Sequence, residues 1–179
     1  MQTSRKVQRD RPTQRGDAEV AASVDAFRRI LREIRVMARK GELSTGLSAA
    51  QTFVLSVLID RPGASVNDLA EATLTDRSSV AAVVDRLVAQ GFVVREQSAD
   101  DRRRAAVSIT TAGRRAMRHA ASPPPTVALI AAMRALQRDE QRSLASGLTA
   151  LARAMGLEGQ PAGMLFEDGV QSARRRRSR

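Results

Sequence analysis

Apolar residues recur every three or four positions in several stretches of the chain, the spacing that gives a helix one apolar face. The first stretch begins at Asp17 and is expected to end at Lys40-Gly41. A second follows Ser48-Ala49-Ala50-Gln51, which fits a capping box, a pair of side chains that satisfies free N–H groups of the first turn. The apolar positions of the two helices are Val20, Val24, Phe27, Leu31, Ile34 and Ala38, then Phe53, Val54, Val57 and Leu58.

Two further helices are predicted between residues 65 and 91. Ser65 with Asp68 forms another capping box, and either Thr75 or Asp76 can cap the helix that follows. Gly91 ends that helix, because glycine readily adopts the positive φ of a helix terminus. The predicted buried stripe of the second helix is Val80, Val83, Val84 and Leu87.

The next segment has the pattern of a β-hairpin. Residues 92–96 and 105–109 are rich in residues that favour strands, and the stretch between them is polar and contains three consecutive arginines. A helix–turn–helix followed by a charged hairpin is typical of a winged DNA-binding module.

Helical spacing returns after the hairpin. Thr110 or Thr111 can cap a helix that is predicted to reach Ser122. Pro123-Pro124-Pro125 must interrupt it, because proline lacks the N–H that a helix interior needs, and helix is expected to resume at Thr126.

The first and last helices have apolar faces for which the winged module offers no partner. The last helix is predicted over residues 138–155. We expect both to pack against a second copy of the chain, giving a mainly α protein with a small β-wing, dimerised through its N- and C-terminal helices. The predicted regions are a disordered basic tail (1–16), a dimerisation helix (17–46), a winged helix-turn-helix DNA-binding domain (47–112), C-terminal dimerisation helices (113–157) and a second disordered basic tail (158–179).

Composition excludes several classes of site. The 179 residues include no cysteine and one histidine, so disulfides and a Cys/His zinc site are excluded, and we expect neither a metal nor a cofactor. Only 2% of the residues are aromatic, so the core should consist of Ala, Val and Leu. We find no signal peptide and no apolar run that could span a membrane, and therefore expect a cytoplasmic protein.

The net charge of +11 resides mostly in the two ends of the chain. Residues 1–16 contribute +4, residues 171–179 contribute +5, and the remainder only +2. Basic tails add salt-sensitive affinity for phosphates without reading sequence. The evidence for specific DNA binding therefore has to come from the helix-turn-helix itself.

Arg77, with Ser78 and Ser79, stands at the start of the predicted recognition helix. A guanidinium there can donate two hydrogen bonds to O6 and N7 of guanine, which makes base or phosphate contact our interpretation. The alternative is a solvated arginine that pairs with Asp76.

With these features in place, the chain resembles the MarR family of bacterial transcriptional regulators over roughly residues 20–155. The most specific parts are VDRLVAQGFV, residues 84–93, and DRR followed by VSITTAG, within residues 101–113. The resemblance implies a dimeric winged-helix regulator, usually a repressor, that binds a pseudo-palindromic operator in double-stranded DNA.

The resemblance also assigns roles in the wing. Arg103 is the residue implied to enter a minor groove, with Arg102 and Arg104 beside it. Asp101 would orient an arginine, and Arg86 is its expected partner. The alternative is a hairpin tip whose charges are simply solvated.

The recognition helix departs from many relatives at Ala81 and Ala82, where they have polar residues. A methyl group can contact a thymine methyl but cannot hydrogen-bond a base, so readout should shift toward the helix start. The predicted DNA-contacting residues of this helix are Thr75, Asp76, Arg77, Ser78, Ser79 and Ala82.

A small aromatic or lipophilic ligand is a further implication of the resemblance, bound between the DNA-binding lobe and the dimer helices. The same residues are equally well explained as core, and the low aromatic content argues against a tight aromatic cage. The candidate crevice residues are Phe27, Ile30, Leu31, Phe53, Val57 and Met117.

Two other function classes compete with a specific regulator. The chain could be an architectural DNA-binding protein with little sequence preference, which the two alanines and the basic tails favour, or a protein–protein module, which the wing arginines disfavour. An enzyme is not expected: His119 has no second ligand or base beside it, and the carboxylate pairs Asp100-Asp101 and Asp139-Glu140 lie among arginines.

Overall fold

The computed structural model describes residues 12–97, 105–160 and 163–166. These ranges contain seven helices and one antiparallel hairpin, which confirms a mainly α chain with a small β-wing. In chain order the elements are α1 Pro12–Thr45, α2 Ala49–Asp60, α3 Val66–Thr73, α4 Arg77–Ala89, β1 Val93–Gln97, β2 Ala105–Ile109, α5 Thr111–Arg118, α6 Pro125–Ala135 and α7 Arg138–Ala154.

Both predicted capping boxes are confirmed. The Ser48 hydroxyl accepts the Gln51 N–H at 3.2 Å, and the Gln51 side chain accepts the Ser48 N–H at 2.9 Å. Ser65 and Asp68 repeat this exchange at 3.2 and 2.9 Å. Each of the two helix starts is thus held by a pair of side chains that are close to each other in sequence, Ser48 with Gln51 for α2 and Ser65 with Asp68 for α3.

The hairpin is joined to the helices by backbone pairing as well as by packing. Val93 of β1 lies opposite Ile109 of β2, so β1 runs one residue later than the predicted 92–96. The Val107 N–H donates to the Ala64 carbonyl, just before α3, at 3.0 Å. The wing therefore continues from the helix-turn-helix as part of the same unit.

The core lies between α2, α3, α4 and the hairpin, and it includes the predicted stripe of α4. Phe53 is the aromatic side chain buried in it. The side chains that are almost completely inaccessible are Leu47, Val54, Leu55, Leu58, Leu69, Val80, Val83, Val84, Leu87, Val93 and Val107.

The helices at the two ends of the fold are barely covered. Residues 16–30 of α1 are exposed, and α7 has no buried residue. Their apolar side chains nevertheless keep helical spacing, as predicted. Those exposed on α1 and α7 are Val20, Val24, Phe27, Ile30, Val36, Leu43, Leu144, Leu148 and Leu151.

α1 is longer at both ends than the pattern predicts. It begins at Pro12, not Asp17, because proline is tolerated where the first N–H has no helical partner. It continues past Lys40-Gly41 to Thr45, because one glycine costs a helix only about 1 kcal/mol. Gly46, with φ of 73°, is the glycine at which the chain leaves the helix.

The proline run is flanked differently from the prediction. α5 ends at Arg118 rather than Ser122, and the Ala121 N–H lies 3.4 Å from the Ser44 hydroxyl of α1 instead of continuing a helical ladder. α6 begins at Pro125, one residue before the expected start, because a first-turn proline loses no helical hydrogen bond.

The expectation of disorder after residue 158 is wrong for residues 163–166. Met164 belongs to the core cluster and is 8% exposed. Disorder is predicted from the Gly, Pro and Arg content of the segment, and this composition gives no sign that Met164 is buried in the core.

No single helix in the described ranges is both long and apolar enough to cross a membrane. Residues 16–45 and α2 meet that test only when the two are counted together across a 73° bend.

Gly113 is expected to be intolerant of any side chain. A Cβ there would lie 2.3 Å from the Phe92 carbonyl oxygen and 2.8 Å from Cγ1 of Ile109. Gly113→Ala should lower the free energy of unfolding by about 1–3 kcal/mol, read as a drop in thermal midpoint, because the backbone must move. Gly147→Ala is the matched control: its Cβ would meet nothing within 4 Å, so it should stabilise α7 slightly. Equal effects of the two changes would contradict the crowding at Gly113.

Candidate nucleic-acid interface

The start of α4 is organised by Asp76, which is its N-cap as predicted. The carboxylate accepts the Ser79 N–H at 2.9 Å and a hydrogen bond from the Ser78 hydroxyl. The Ser78 hydroxyl and then the Ser79 N–H lower the pKa of Asp76 to about 2. Asp76 is therefore ionised at neutral pH, and its carboxylate stabilises the first turn of α4 by accepting these two hydrogen bonds.

The outward face of this helix start consists of Arg77, Ser78 and Ala82, which are exposed. Ser79 is half-buried and holds the cap, and the Thr75 hydroxyl donates to the Thr73 carbonyl at 3.0 Å. On this face, the Arg77 guanidinium has the hydrogen-bond donors that could reach a base edge. The assignment of these residues to DNA contact remains a prediction.

The turn that precedes α4 has an unusual conformation. Leu74 adopts φ 54° and ψ 39°, the left-handed region, and its side chain is 72% exposed. Its N–H and that of Thr75 donate back to α3, to the carbonyls of Glu71 and Ala70 at 3.2 and 3.1 Å. The turn directs the chain from α3 into α4.

The tip of the wing lies outside the described residues. Residues 98–104 include Asp101, Arg102, Arg103 and Arg104, so their predicted contacts are untested. The same holds for the expected pairing of Arg86 with Asp101. Arg86 itself lies on α4, and its Nε donates to the Ala82 carbonyl at 3.2 Å.

An ion pair that the sequence analysis missed joins α4 to the wing. Asp85 Oδ1 lies 2.6 Å from an Nη atom of Arg95 on β1. Both side chains are exposed, so the pair contributes little to stability, about 0–1 kcal/mol. The pair connects the exposed side of α4 to the first strand of the wing. The available signal was a pair of opposite charges on either side of the Gly91 turn.

The other end of α4 is held by hydrogen bonds between distant parts of the chain. The Gln51 side chain at the start of α2 donates to the Gln90 side chain at 2.7 Å. The Thr110 hydroxyl lies 2.8 Å from the Gly91 carbonyl and 3.1 Å from that of Phe92. The start of α4 is thus held by its own cap, and its end by hydrogen bonds to α2 and to Thr110.

The six candidate crevice residues are not brought together around one cavity in the part of the chain that is described. Phe53 is buried in the core, and Val57 and Met117 pack against it. Phe27 and Ile30 lie on the exposed part of α1. Leu31 lines a separate open cleft among the arginines of α1.

Among residues 12–97, 105–160 and 163–166, no group of three or more His, Cys, Asp or Glu side chains could hold a metal ion.

The lowered pKa of Asp76 predicts a specific pH dependence of stability. A folded-state pKa of about 2, against an ordinary 3.8, means that the charge stabilises the fold above pH 3.8 and ceases to do so as pH falls toward 2. The difference in unfolding free energy between the wild type and Asp76→Asn should be constant above about pH 5 and shrink below it, as measured by urea titration. A difference that does not change with pH would refute this role.

Comparison with known proteins agrees with the winged helix. The MarR family model matches residues 45–104. None of the curated proteins matches the chain.

Solved structures extend the likeness to the whole fold. A MepR-like protein complexed with pseudoligands is 21% identical with a TM-score of 0.51, covering 75% of this chain and 94% of that one. A MarR family transcription regulator is 19% identical with a TM-score of 0.50, covering 82% and 96%. MarR from E. coli, in its apo form, is 20% identical with a TM-score of 0.49, covering 71% and 94%. The chain is therefore similar to the MarR family over residues 45–104 and shares the winged-helix fold of these solved structures.

Proposed function

We propose that the chain is a DNA-binding transcriptional regulator of the MarR family, a homodimeric repressor that reads a pseudo-palindromic operator and is released from it by a small aromatic or lipophilic ligand. The observation that carries the proposal is the start of α4, where Asp76 and the Ser79 N–H hold a rigid first turn and Arg77 projects from it. A rigid helix with an unobstructed guanidinium is suited to base recognition in a major groove.

Sequence readout in this proposal is concentrated in a few side chains. Arg77 recognises a guanine, Ser78 supplies a hydroxyl, and the Ala82 methyl contacts a thymine methyl. Thr75, Asp76 and Ser79 shape the helix start that presents them. Arg103, with Arg102 and Arg104, contacts the minor groove from the wing tip.

Dimerisation is supported by the uncovered apolar faces of α1 and α7. Leu144, Leu148 and Leu151 repeat along one side of α7, and this helix buries none of its residues within the chain. Exposed apolar faces of this extent indicate a partner. A second copy related by twofold symmetry provides it and also supplies the second recognition helix that a pseudo-palindrome requires.

Ligand release follows from the same architecture. A molecule bound between the DNA-binding lobe and the dimer helices favours a spacing of the two recognition helices that no longer fits the operator, a shift in population between two arrangements. Phe27, Ile30 and Leu31 on α1 then approach the lobe residues Phe53, Val57 and Met117 only when the dimer is assembled. An aromatic or lipophilic molecule suits this largely apolar set.

Selection of bound duplexes from a random DNA pool, at near-physiological salt, tests the proposal. We expect enrichment of an inverted repeat with half-sites about 10 base pairs apart, because two copies of α4 related by a twofold axis read the two halves. Binding without an enriched sequence would contradict specific regulation and support the architectural alternative. An enriched single half-site would contradict the dimer alone.

Arg77→Ala should weaken binding to the selected operator about 5- to 150-fold, the loss of a discrimination worth about 1–3 kcal/mol, and should relax base preference at one position of each half-site. Arg138→Ala is the matched control, since Arg138 is also an exposed first residue of a helix. Titration against operator and unrelated DNA measures both effects. An equal loss on the two DNAs would assign Arg77 to phosphate rather than base contact.

A further inference from the structure

A cavity of about 200 Å³ lies beside the turn that leads into the recognition helix. Phe53 of α2 and the α6 residues Thr126 and Ile130 form part of its wall. Turn residues 73–75 and the C-terminal residues 163–165 complete it. The cavity therefore lies between α2, the turn before α4, α6 and a segment that follows α7. We call residues 163–166 the C-terminal latch.

Met164 is the residue of the latch that enters the core. It is 8% exposed and clusters with Phe53, although the preceding helix α7 buries nothing. The chain thus leaves an exposed helix at Met155, its C-cap, and returns to the lobe nine residues later. An unbranched thioether side chain adapts well to an irregular gap of this kind.

The turn beside Met164 has a conformation that needs external support. A left-handed conformation at a residue other than glycine costs about 1–2 kcal/mol, and Leu74 adopts it with its side chain largely exposed. Thr73 is buried on the other side of the same turn. Packing beside the turn therefore contributes to the direction in which α4 departs.

We propose that Met164 is a positioning residue for DNA recognition. It holds turn 73–75 against α2 and α6, and through the turn it fixes the first residues of α4, which present Arg77 and Ser78. This inference rests on the proposed function for its effect on operator binding, but the effect on the turn itself does not.

In this proposal the C-terminal latch affects the preference for the operator over other DNA, and not the electrostatic affinity for phosphates. Gly163, Met164, Leu165 and Phe166 carry no charge, so removing the Met164 side chain leaves the cations that bind phosphates unchanged. A less defined turn leaves α4 correctly oriented for only part of the time, and apparent affinity falls in proportion to the competent fraction. Sequence-independent affinity and its salt dependence should not change.

Full-length Met164→Ala, Met164→Leu and Ile59→Ala test the proposal, with Ile59 as the control because it is an exposed apolar side chain of α2, outside the helices assigned to dimerisation. For Met164→Ala we expect roughly tenfold weaker binding to the selected operator, which corresponds to a competent fraction of about one tenth. Affinity for unrelated DNA should be unchanged. Amide hydrogen exchange should accelerate at Thr75 and Ser79 relative to Val54. Met164→Leu should keep operator affinity and amide exchange close to those of the wild type, and Ile59→Ala should alter neither.

The positioning role is overturned if Met164→Ala leaves the ratio of operator to unrelated-DNA affinity unchanged, whether or not both affinities fall, or if Ile59→Ala has an equal effect. If the wild type prefers no sequence, the proposed function has failed. The exchange measurement then decides the latch alone, and unchanged exchange at the turn overturns it. If Met164→Ala does not fold, Met164→Val, a smaller truncation, provides the same comparison.

Discussion

The burial of one stripe of α4 determines how the DNA-binding surface is presented. Its four side chains are completely inaccessible: Val80, Val83, Val84 and Leu87. Burying one aliphatic side chain stabilises a fold by about 1.5–3 kcal/mol, so rotating α4 about its axis would sacrifice several such contributions at once. With 3.6 residues per turn, Ser78, Ala82 and Asp85 must then face outward. The surface of α4 is thus fixed by its core side.

The charge at the start of α4 supports the proposed contact with bases rather than with phosphates. The N-terminus of a helix ordinarily attracts anions through its dipole and free N–H groups. Here the Asp76 carboxylate already takes the Ser79 N–H, and its low pKa keeps it charged. A DNA phosphate approaching the same point meets a fixed negative charge. The adjacent Arg77 is exposed, and in the proposed function its donors reach a base edge.

Local interactions could be predicted from the sequence, whereas distant ones could not. The capping boxes at Ser48 and Ser65 were predictable because both partners lie within four residues. The stripe of α4 was predictable because helical spacing alone defines it. The Asp85–Arg95 ion pair depends on the angle between helix and strand, and the burial of Met164 depends on a cavity built from three other elements. No spacing rule encodes either of these.

The differences at the two helix ends have separate origins. The sequence pattern predicts stops at Gly41 and before the proline run, and the structure departs from it at both places. In α1, one glycine was too small a penalty to end a helix of 34 residues. α5 ends at Arg118, four residues before the expected Ser122. Beyond this end, the Ala121 N–H donates to the Ser44 hydroxyl of α1 instead of to a helical carbonyl.

The exposed helices α1 and α7 differ in their stabilisation from the core formed by α2, α3, α4 and the hairpin. This difference connects the proposed dimerisation with the proposed DNA recognition. A helix of 17 residues such as α7 is marginal in water on propensity alone, and packing of its apolar face normally supplies the rest. Among the residues that the structure describes, no side chain of α7 is fully covered, so in the proposed dimer a partner copy would supply this packing. Met164 of the C-terminal latch follows the C-cap of α7 by nine residues and lies beside the turn before α4. In the proposed dimer, a partner copy that orders α7 would thus act on the helix from which the chain continues to this turn, and so would link dimerisation to the presentation of the recognition helix.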